Sequence, residues 1–438
     1  MATGAPSLTW QRKWLFNGLM LVCTWIIIEL AAFVALRLNY GSLAQIHELM
    51  QSTARQDPFR PGGHRFIAPA VIHPYLGAVL QPKTDLKSVM YDDRYWVTEF
   101  GFIDNDRPLH KRSRDRVIVG ILGGSVARQF SMNATDLLAE ELSKAPQFTG
   151  RTFQFVRLAS DGYKQPQQLM VINYMLSMGA EFDILINLDG VNEAALPAID
   201  NVPHGVFSAF PRDWGKLVAG SSSPEFARMA GYVSFLRKEQ HDDAVWFSSP
   251  LLRYLPTAIL IWELRKGRSD QKINQQIEAM NSFAETEQTY GGSGPPEHFD
   301  SDEAMYQHFM NLWAESSILL QQLSAPRGIR YFHFLQPNQY VQGSKPIGED
   351  EAVIAIDETS LMRKGVQACF PRMRAQSSRL IEAGVRFTDL TQVFADHPEL
   401  LYSDSCCHLI PAGNQILARA IAARIRQDES RSDAAHRP

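Results

Sequence analysis

The sequence has few cysteines and no long basic or repetitive segment. Its 438 residues contain four cysteines and no Cys-x-x-Cys pair, which excludes a scaffold built on disulfides. The net charge is −4 and no basic run is interleaved with aromatic residues, so no nucleic-acid partner is expected. No internal repeat and no long low-complexity tract occurs. With 45% hydrophobic and 21% charged residues, the composition is that of a globular protein with one large domain or two smaller ones.

The first 38 residues form an expected membrane anchor. Residues 15–36 are apolar apart from Asn17, Thr24 and Glu29, and as a helix they would span about 33 Å, enough to cross the hydrocarbon core of a bilayer. A cleaved signal peptide has a shorter apolar core and a small-residue cleavage site. We therefore favour an uncleaved signal anchor over a cleaved signal or a buried helix.

Charges around this run set the expected orientation. Arg12 and Lys13 precede it and Arg37 follows it. This slight bias predicts a cytoplasmic N-terminus, a single pass through the inner (cytoplasmic) membrane, and the bulk of the chain in the periplasm. Glu29 is costly inside a bilayer. It is either a lone protonated side chain, which we favour, or part of a helix–helix contact.

After a polar lead-in segment at 39–114, apolar strand-like runs alternate with helix-like ones. Five runs have the length and the β-branched or aromatic content of buried strands. They are residues 116–122, 152–158, 182–188, 329–335 and 385–390. The alternation predicts an α/β domain over 115–428, with a parallel sheet covered by helices on both faces and a disordered tail at 429–438.

A helical insertion is expected at about 195–326, between the third and fourth strands. It is too long for a plain crossover, and we interpret it as an inserted cap that includes a long helix from about residue 301 to 324. Its apolar segment 248–267 forms either the core of the cap, which we favour, or a lipid-facing surface. In the second case Ile259 and Ile261 would contact the membrane.

Polar clusters follow several of the predicted strands, where open parallel sheets bind ligands. Ser125, in GGSVA, lies where a strand turns into a helix, and it is either the helix N-cap or a nucleophile. A phosphate-binding loop is disfavoured because the P-loop lysine is missing. Gly162 in SDGY and Asn192 in DGVNE, taken alone, fit ordinary turns as well as a site.

The stretch DSCCHLIPAGN precedes the last predicted helix. A zinc site is disfavoured because the adjacent Cys406 and Cys407 lack tetrahedral ligand spacing, and a redox pair because neighbouring cysteines do not easily close a relaxed disulfide. A bridge from Cys369 to either of them remains open in an oxidising compartment. Asp404 and His408 are left as an acid–base pair, and no metal or cofactor is expected.

Together these clusters resemble the motif blocks of the SGNH/GDSL hydrolase superfamily, in particular its bacterial membrane-anchored members. In chain order, GGSVA resembles the nucleophile block, SDGY the glycine block, DGVNE the G-x-N block, and DSCCH with LIPAGN the closing acid–histidine block, over residues 116–427. The nucleophile block reads GGS where the family has GDS. The acid lies four residues before the histidine, where the family more often has three.

The resemblance implies a three-layer α/β/α flavodoxin-like sandwich with a five-stranded parallel sheet, an inserted helical cap and an N-terminal transmembrane helix. It also implies a serine esterase that removes or transfers O-acyl groups on cell-envelope carbohydrate through an acyl-enzyme. The implied catalytic residues are Ser125, Asp404 and His408. The implied oxyanion hole consists of the backbone N–H groups of Ser125 and Gly162 and the side chain of Asn192.

Two functions of other kinds stay open. One is a catalytically silent carbohydrate-binding or assembly factor on the same fold, and the other is a lipase or thioesterase. For the esterase itself, the substrate is an acylated carbohydrate or another small ester. Gln336, Asn338, Gln339 and Tyr340 follow the fourth strand and offer an amide-rich surface suited to polyhydroxyl ligands, or else a network that stabilises a loop. His333, within that strand, is expected to be a core residue.

Overall fold

The structure is a computed structural model, and it describes residues 10–55, 70–82, 84, 86, 94–215, 217–218, 224–286 and 290–435. These residues divide into two compact units. The smaller unit consists of residues 10–55 and 224–286, and the remaining described residues form the larger unit. The predicted boundaries differ from this division, because the lead-in and the insertion each contribute to both units.

The larger unit is built on a five-stranded parallel sheet. Its described strands, in chain order, are β1 (Ala70–His73), β2 (Gly77–Leu80), β3 (Trp96–Val97), β4 (Ile103–Asp104), β5 (Arg116–Gly123), β6 (Thr152–Arg157), β7 (Ile184–Asp189), β8 (Arg330–Leu335) and β9 (Arg386–Asp389). The first four form two antiparallel pairs. The other five form the parallel sheet in the order β6-β5-β7-β8-β9, which is the flavodoxin-like order. The predicted α/β fold class is confirmed.

Helices cover the sheet and form the smaller unit. In chain order they are α1 (Trp10–Asn39), α2 (Leu43–Arg55), α3 (Ser125–Asn133), α4 (Thr135–Ser143), α5 (Gln167–Ser177), α6 (Val191–Leu196), α7 (Pro224–Phe247), α8 (Pro256–Thr286), α9 (Tyr290–Ser293), α10 (Asp302–Ser324), α11 (Glu349–Ala355), α12 (Leu361–Ala375), α13 (Ser377–Glu382) and α14 (Pro411–Ala435). The last helix therefore continues well into the stretch predicted as a disordered tail.

Two groups of helices account for the burial of the central strands. α3, α4 and α14 pack with one another, and α5, α6, α10 and α12 form the second group. All six residues of β7 are buried, as are seven of the eight in β5. A strand covered on both faces has no solvent side, which is why these strands are continuous apolar runs in the sequence.

The smaller unit contains α1, α2, α7 and α8. α1 packs on α8 and α2 packs on α7, around a cluster that includes Leu36, Met50, Phe247 and Trp262. α1 is long and apolar enough to cross a membrane, and among its residues only two are buried, at positions 32 and 36. The predicted cap is thus split: α7 and α8 belong with α1, whereas α9 and α10 belong to the larger unit.

One expectation for the smaller unit needs correction. Glu29 is not a lone side chain, because its carboxylate accepts hydrogen bonds from the backbone N–H of Thr257 at 3.0 Å and from its hydroxyl at 2.6 Å. The helix–helix contact is therefore what the structure shows. In the apolar segment, Ile259 is 1% exposed and belongs to the core of the unit, whereas Ile261 is 50% exposed.

Candidate active site

Ser125 lies at a tight turn between β5 and α3 that only glycine can form. Gly123 has φ +134°, and a Cβ there would lie 2.1 Å from the carbonyl oxygen of Leu188. A Cβ on Gly124 would lie 2.2 Å from the Asn192 side-chain nitrogen. Gly124 is the N-cap residue and Ser125 is the first residue of the helix. The N-cap interpretation of Ser125 is therefore wrong, and its hydroxyl is available for another partner.

That partner is His408. Its Nε2 atom lies 2.7 Å from Ser125 Oγ, and its Nδ1 atom lies 2.5 Å from Asp404 Oδ2. Ser125 and His408 are 283 residues apart in the sequence, and together with Asp404 their side chains form a continuous chain of hydrogen bonds. The structure thus brings together the predicted nucleophile, base and acid, with the four-residue spacing between acid and histidine intact.

Backbone geometry holds Asp404 in place. Its Oδ1 atom accepts hydrogen bonds from three consecutive backbone N–H groups, those of residues 406, 407 and 408, at 2.9, 3.0 and 3.2 Å. Oδ2 is left to face the imidazole. A loop with four residues from the acid to the histidine can therefore curl around the carboxylate, and this curl places the acid beside the ring.

The electrostatics of the pair follow from this geometry. Burial by itself would raise the pKa of Asp404, but the hydrogen bond and charge of His408, together with the backbone N–H groups, hold it well below its ordinary value. Burial would likewise lower the pKa of His408, but the hydrogen bond and charge of Asp404 raise it above its ordinary value. Asp404 is therefore ionised, and His408 is a stronger base than a free imidazole.

The two predicted oxyanion-hole loops meet beside Ser125. Asn192 is 9% exposed, and its side-chain nitrogen donates to the carbonyl oxygen of Tyr163 at 2.7 Å, directly beside Gly124. Gly162 has φ +76°, and the side chain of Arg212 lies so close that a Cβ at residue 162 would be 2.9 Å from its Cδ atom. Among the residues that the structure describes, only one of the two amide hydrogens of Asn192 has an acceptor, so the other can donate elsewhere.

Glu193 connects these loops, although no motif in the sequence singles it out. Its Oε1 atom accepts from the backbone N–H of Gln165 at 3.0 Å and from the side chain of Gln168 at 2.9 Å, and Oε2 accepts from the backbone N–H of Gly190 at 2.9 Å. Burial and the neighbouring Asp189 raise the pKa of Glu193 to about 8. The available signal was an acid directly after the candidate asparagine, in DGVNE.

An ion pair also fixes the loop that contains Asp161 and Gly162. Arg128, on the first turn of α3, lies with its Nε atom 2.6 Å from Asp161 Oδ1. Arg128 is mostly buried, so the pair is shielded from solvent. Because Asp161 directly precedes Gly162, the loop is attached to the same helix that begins at Ser125.

The residues expected to bind substrate after β8 have another role. Asn338 is fully buried and donates to the carbonyl oxygen of Cys406 at 3.0 Å, Gln339 donates to that of Asp404 at 3.2 Å, and the Tyr340 hydroxyl donates to that of Ser405 at 2.7 Å. These are the contacts of the loop-stabilising alternative. The polar groups of Asn338 and Tyr340 hold the loop of Asp404, and a substrate contact by either residue stays a prediction.

The structure leaves the expectation for Gln336 open and confirms the one for His333. Gln336 is 4% exposed, and within the described residues its side-chain nitrogen has no hydrogen-bond partner. A substrate contact by Gln336 therefore stays a prediction. His333 is fully buried between Asp189 and Ser317, at 2.8 and 2.7 Å, which confirms it as a core residue.

The cysteines are free thiols in the structure. Cys369 is buried in α12, and its thiol donates to a carbonyl oxygen of α6. The disulfide from Cys369 to Cys406 or Cys407, which the sequence left open, is therefore not formed. Cys406 and Cys407 have their sulfur atoms 3.1 Å apart. These atoms and a ring nitrogen of His408 lie within 4.8 Å of one another, but both ring nitrogens already contact Asp404 and Ser125.

Comparisons with known proteins give distant likenesses. No family model matches the chain, and no curated protein matches it. Among solved structures it is similar to a catalytic mutant of Axe2, an acetylxylan esterase from Geobacillus stearothermophilus, with a TM-score of 0.32 and 10% identity over 72% of this chain and 95% of that chain. A second Axe2 mutant, described as an acetyl-xylooligosaccharide esterase, gives a TM-score of 0.32 and 10% identity over 72% and 94%.

Proposed function

We propose that this protein is a serine esterase of the SGNH type that acts through an acyl-enzyme on Ser125. The observation that carries the proposal is the hydrogen-bonded chain Ser125–His408–Asp404, with distances of 2.7 and 2.5 Å. A hydroxyl, an imidazole and a carboxylate in this order activate a serine for nucleophilic attack. Their position at the carboxyl end of β5, where such sheets bind ligands, supports the same conclusion.

The first step is attack of Ser125 Oγ on the carbonyl carbon of an ester. His408 Nε2 takes the proton from the hydroxyl as the new C–O bond forms, and the carbonyl oxygen becomes an oxyanion. Asp404 keeps Nδ1 protonated and stabilises the imidazolium. His408 then gives its proton to the departing alkoxide, which leaves as an alcohol and completes the acyl-enzyme.

The oxyanion forms beside donors that are already fixed. Within the described residues no side chain caps the N-terminus of α3 at Ser125, so its first backbone N–H groups and the positive end of the helix dipole face the site. Gly162 offers its backbone N–H, and Asn192 offers its free amide hydrogen from a loop held by Glu193. Each donor of this kind is typically worth about 3–4 kcal/mol of barrier.

The second step breaks down the acyl-enzyme and regenerates free Ser125. A water molecule, or a hydroxyl of an acceptor, attacks the acyl carbon while His408 Nε2 takes its proton. The C–Oγ bond then breaks and the same proton returns to Oγ. The triad serves hydrolysis and transfer equally, so the acceptor that enters decides whether the acyl group is removed or moved.

The substrate class in this proposal is O-acylated carbohydrate of the cell envelope. We propose that α1 is a single-pass anchor in the inner membrane with the larger unit in the periplasm, and this location gives the site access to envelope glycans. The length and apolar surface of α1 support a membrane anchor, and the basic residues Arg12 and Lys13 support the orientation.

The test uses the full chain purified in detergent with p-nitrophenyl acetate. We expect turnover by the unchanged protein, and a loss of at least three orders of magnitude for Ser125→Ala with an unchanged circular dichroism spectrum. Ser131→Ala, on the same helix, serves as the matched control and should keep turnover. Equal turnover by the Ser125→Ala variant would refute the proposal.

A further inference from the structure

The contact between Glu29 and Thr257 fixes where helix α8 begins relative to the anchor. Both oxygens of the Glu29 carboxylate are used, one on the backbone N–H and one on the hydroxyl of Thr257. Thr257 is the second residue of α8, and the first is Pro256, which has no N–H to satisfy. The carboxylate of α1 therefore caps the N-terminus of α8 in the way a capping side chain does.

Glu29 lies well inside the apolar run of α1. It precedes Leu36, where the run ends, by seven residues, which is about 10 Å along a helix. When α1 spans a bilayer, the start of α8 and the turn before it lie at this level. A helix N-terminus in hydrocarbon needs its N–H groups satisfied within the protein, and Glu29 supplies part of that requirement.

The end of α7 and the turn between α7 and α8 expose large apolar side chains. Leu251 is 83% exposed, Tyr254 65% and Trp246 60%. On α8 the exposure alternates by face, since Ile261 is 50% exposed while Ile259 is buried against the cluster that contains Leu36. This unit therefore has a core. Leu252 and Leu255 of the turn pack against it, whereas Leu251 and Tyr254 face away from it.

The composition of the turn also fits lipid. Between Ser248 and Trp262 the one charged residue is Arg253, whose guanidinium lies over the ring of Tyr254, 4.6 Å from its centre. A long basic side chain beside an aromatic ring is typical of a membrane interface, where the charge extends towards the lipid headgroups.

We propose that the α7–α8 turn, residues 248–256, together with the first two turns of α8, is embedded in the bilayer that α1 spans. The occupant of its apolar surface is lipid acyl chain. The smaller unit is then anchored by two elements, a spanning helix and a helical hairpin that enters one leaflet. This inference rests on the proposed membrane anchor, and it is independent of the catalytic assignment.

The test is photo-crosslinking in reconstituted bilayers of phosphatidylethanolamine and phosphatidylglycerol. The full chain carries p-benzoyl-phenylalanine at position 251 in one sample, and at position 228 in the matched control. Arg228 is exposed near the start of α7, about 28 Å along the helix from its end. A third sample carries the crosslinker at position 21 in α1, which reports the anchor separately. Adducts are measured by mass spectrometry.

We expect lipid adducts at positions 251 and 21, and at least fivefold fewer at position 228. Adducts at 21 with none at 251, or with 251 no higher than 228, would overturn the embedded turn and leave the anchor in place. A covalent dimer through position 251 would overturn it in favour of a second copy of the chain. Absence of adducts at both 21 and 251 would refute the anchor and the embedded turn together, while p-nitrophenyl acetate turnover would still report on the catalytic proposal.

Discussion

His408 and Asp404, four residues apart in the chain, face each other with Nδ1 and Oδ2 2.5 Å apart. Three consecutive backbone N–H groups hold the other carboxylate oxygen. In the proposed mechanism Asp404 keeps the imidazole in the tautomer that accepts a proton from Ser125. Asp404→Asn should therefore lower kcat for p-nitrophenyl acetate by about 10³–10⁴, with little change in KM. A decrease of less than tenfold would remove Asp404 from the triad.

The pH dependence of turnover follows from the raised pKa of His408. His408 must be neutral to accept the Ser125 proton, so kcat/KM should fall as the pH decreases through that pKa. The acidic limb should lie above the ordinary imidazole value. In Asp404→Asn the limb should move to lower pH, because the charge that raises the pKa is removed. An acidic limb that stays in place in this variant would contradict the electrostatic role of Asp404.

Glu193 should position the hydrogen-bond donors of the proposed oxyanion hole. Glu193→Ala removes the acceptor for three hydrogen bonds and releases the loops that carry Gly162 and Asn192. We expect a loss in kcat of about 10²-fold, of the size seen for an oxyanion donor, with a smaller change in KM. Glu193→Gln keeps one acceptor oxygen and should recover part of kcat. Equal activity of the two variants would argue against this positioning role.

Tyr340→Phe distinguishes a loop contact from a substrate contact. It removes only the hydroxyl, which donates to the carbonyl oxygen of Ser405 and accepts from the backbone N–H of Asp357. A lost hydrogen bond of about 1 kcal/mol in the loop of Asp404 should reduce kcat several-fold and leave KM for acylated sugars unchanged. An increase in KM that is specific to sugar substrates, with kcat unchanged, would instead identify Tyr340 as a substrate-binding residue.

The pair formed by Asp104 and Arg157 should dominate the stability of the sheet edge. Both side chains are buried, and Arg157 also donates to the carbonyl oxygen of Ser131 at 2.8 Å. Burial raises the pKa of Asp104 in spite of the nearby guanidinium. Arg157→Met leaves the buried carboxylate without its ion-pair partner and should cost about 3–5 kcal/mol of stability. The exposed Lys144→Ala should cost less than about 1 kcal/mol. Thermal unfolding followed by circular dichroism compares the two.

Much of the fold could be predicted from the sequence, because the five central strands are buried on both faces. A continuous apolar run such as residues 182–188 has no alternative place in a soluble unit, and the observed strand Ile184–Asp189 agrees with it. The order of motif residues along the chain was sufficient to select Ser125 and His408 as partners. Their distance could not be predicted, because it depends on how the loop after β9 curls around Asp404.

Other features could not be read from the sequence for a physical reason. A run of polar residues such as Asn338 to Tyr340 looks the same whether its side chains bind a ligand or the backbone of a neighbouring loop. The role of Glu29 depends on a helix more than two hundred residues away in the sequence. The division of the insertion between the two units depends on which apolar helix faces pack together. Long-range partners decided each of these cases.

The most direct measurement of the central claim is intact-mass and peptide analysis of the full chain after reaction with a fluorophosphonate probe. The account predicts a single adduct on Ser125 that is absent in Ser125→Ala and forms at least a hundredfold more slowly in His408→Ala. An unlabelled protein, or an adduct on a different serine with Ser125 unmodified, would contradict it.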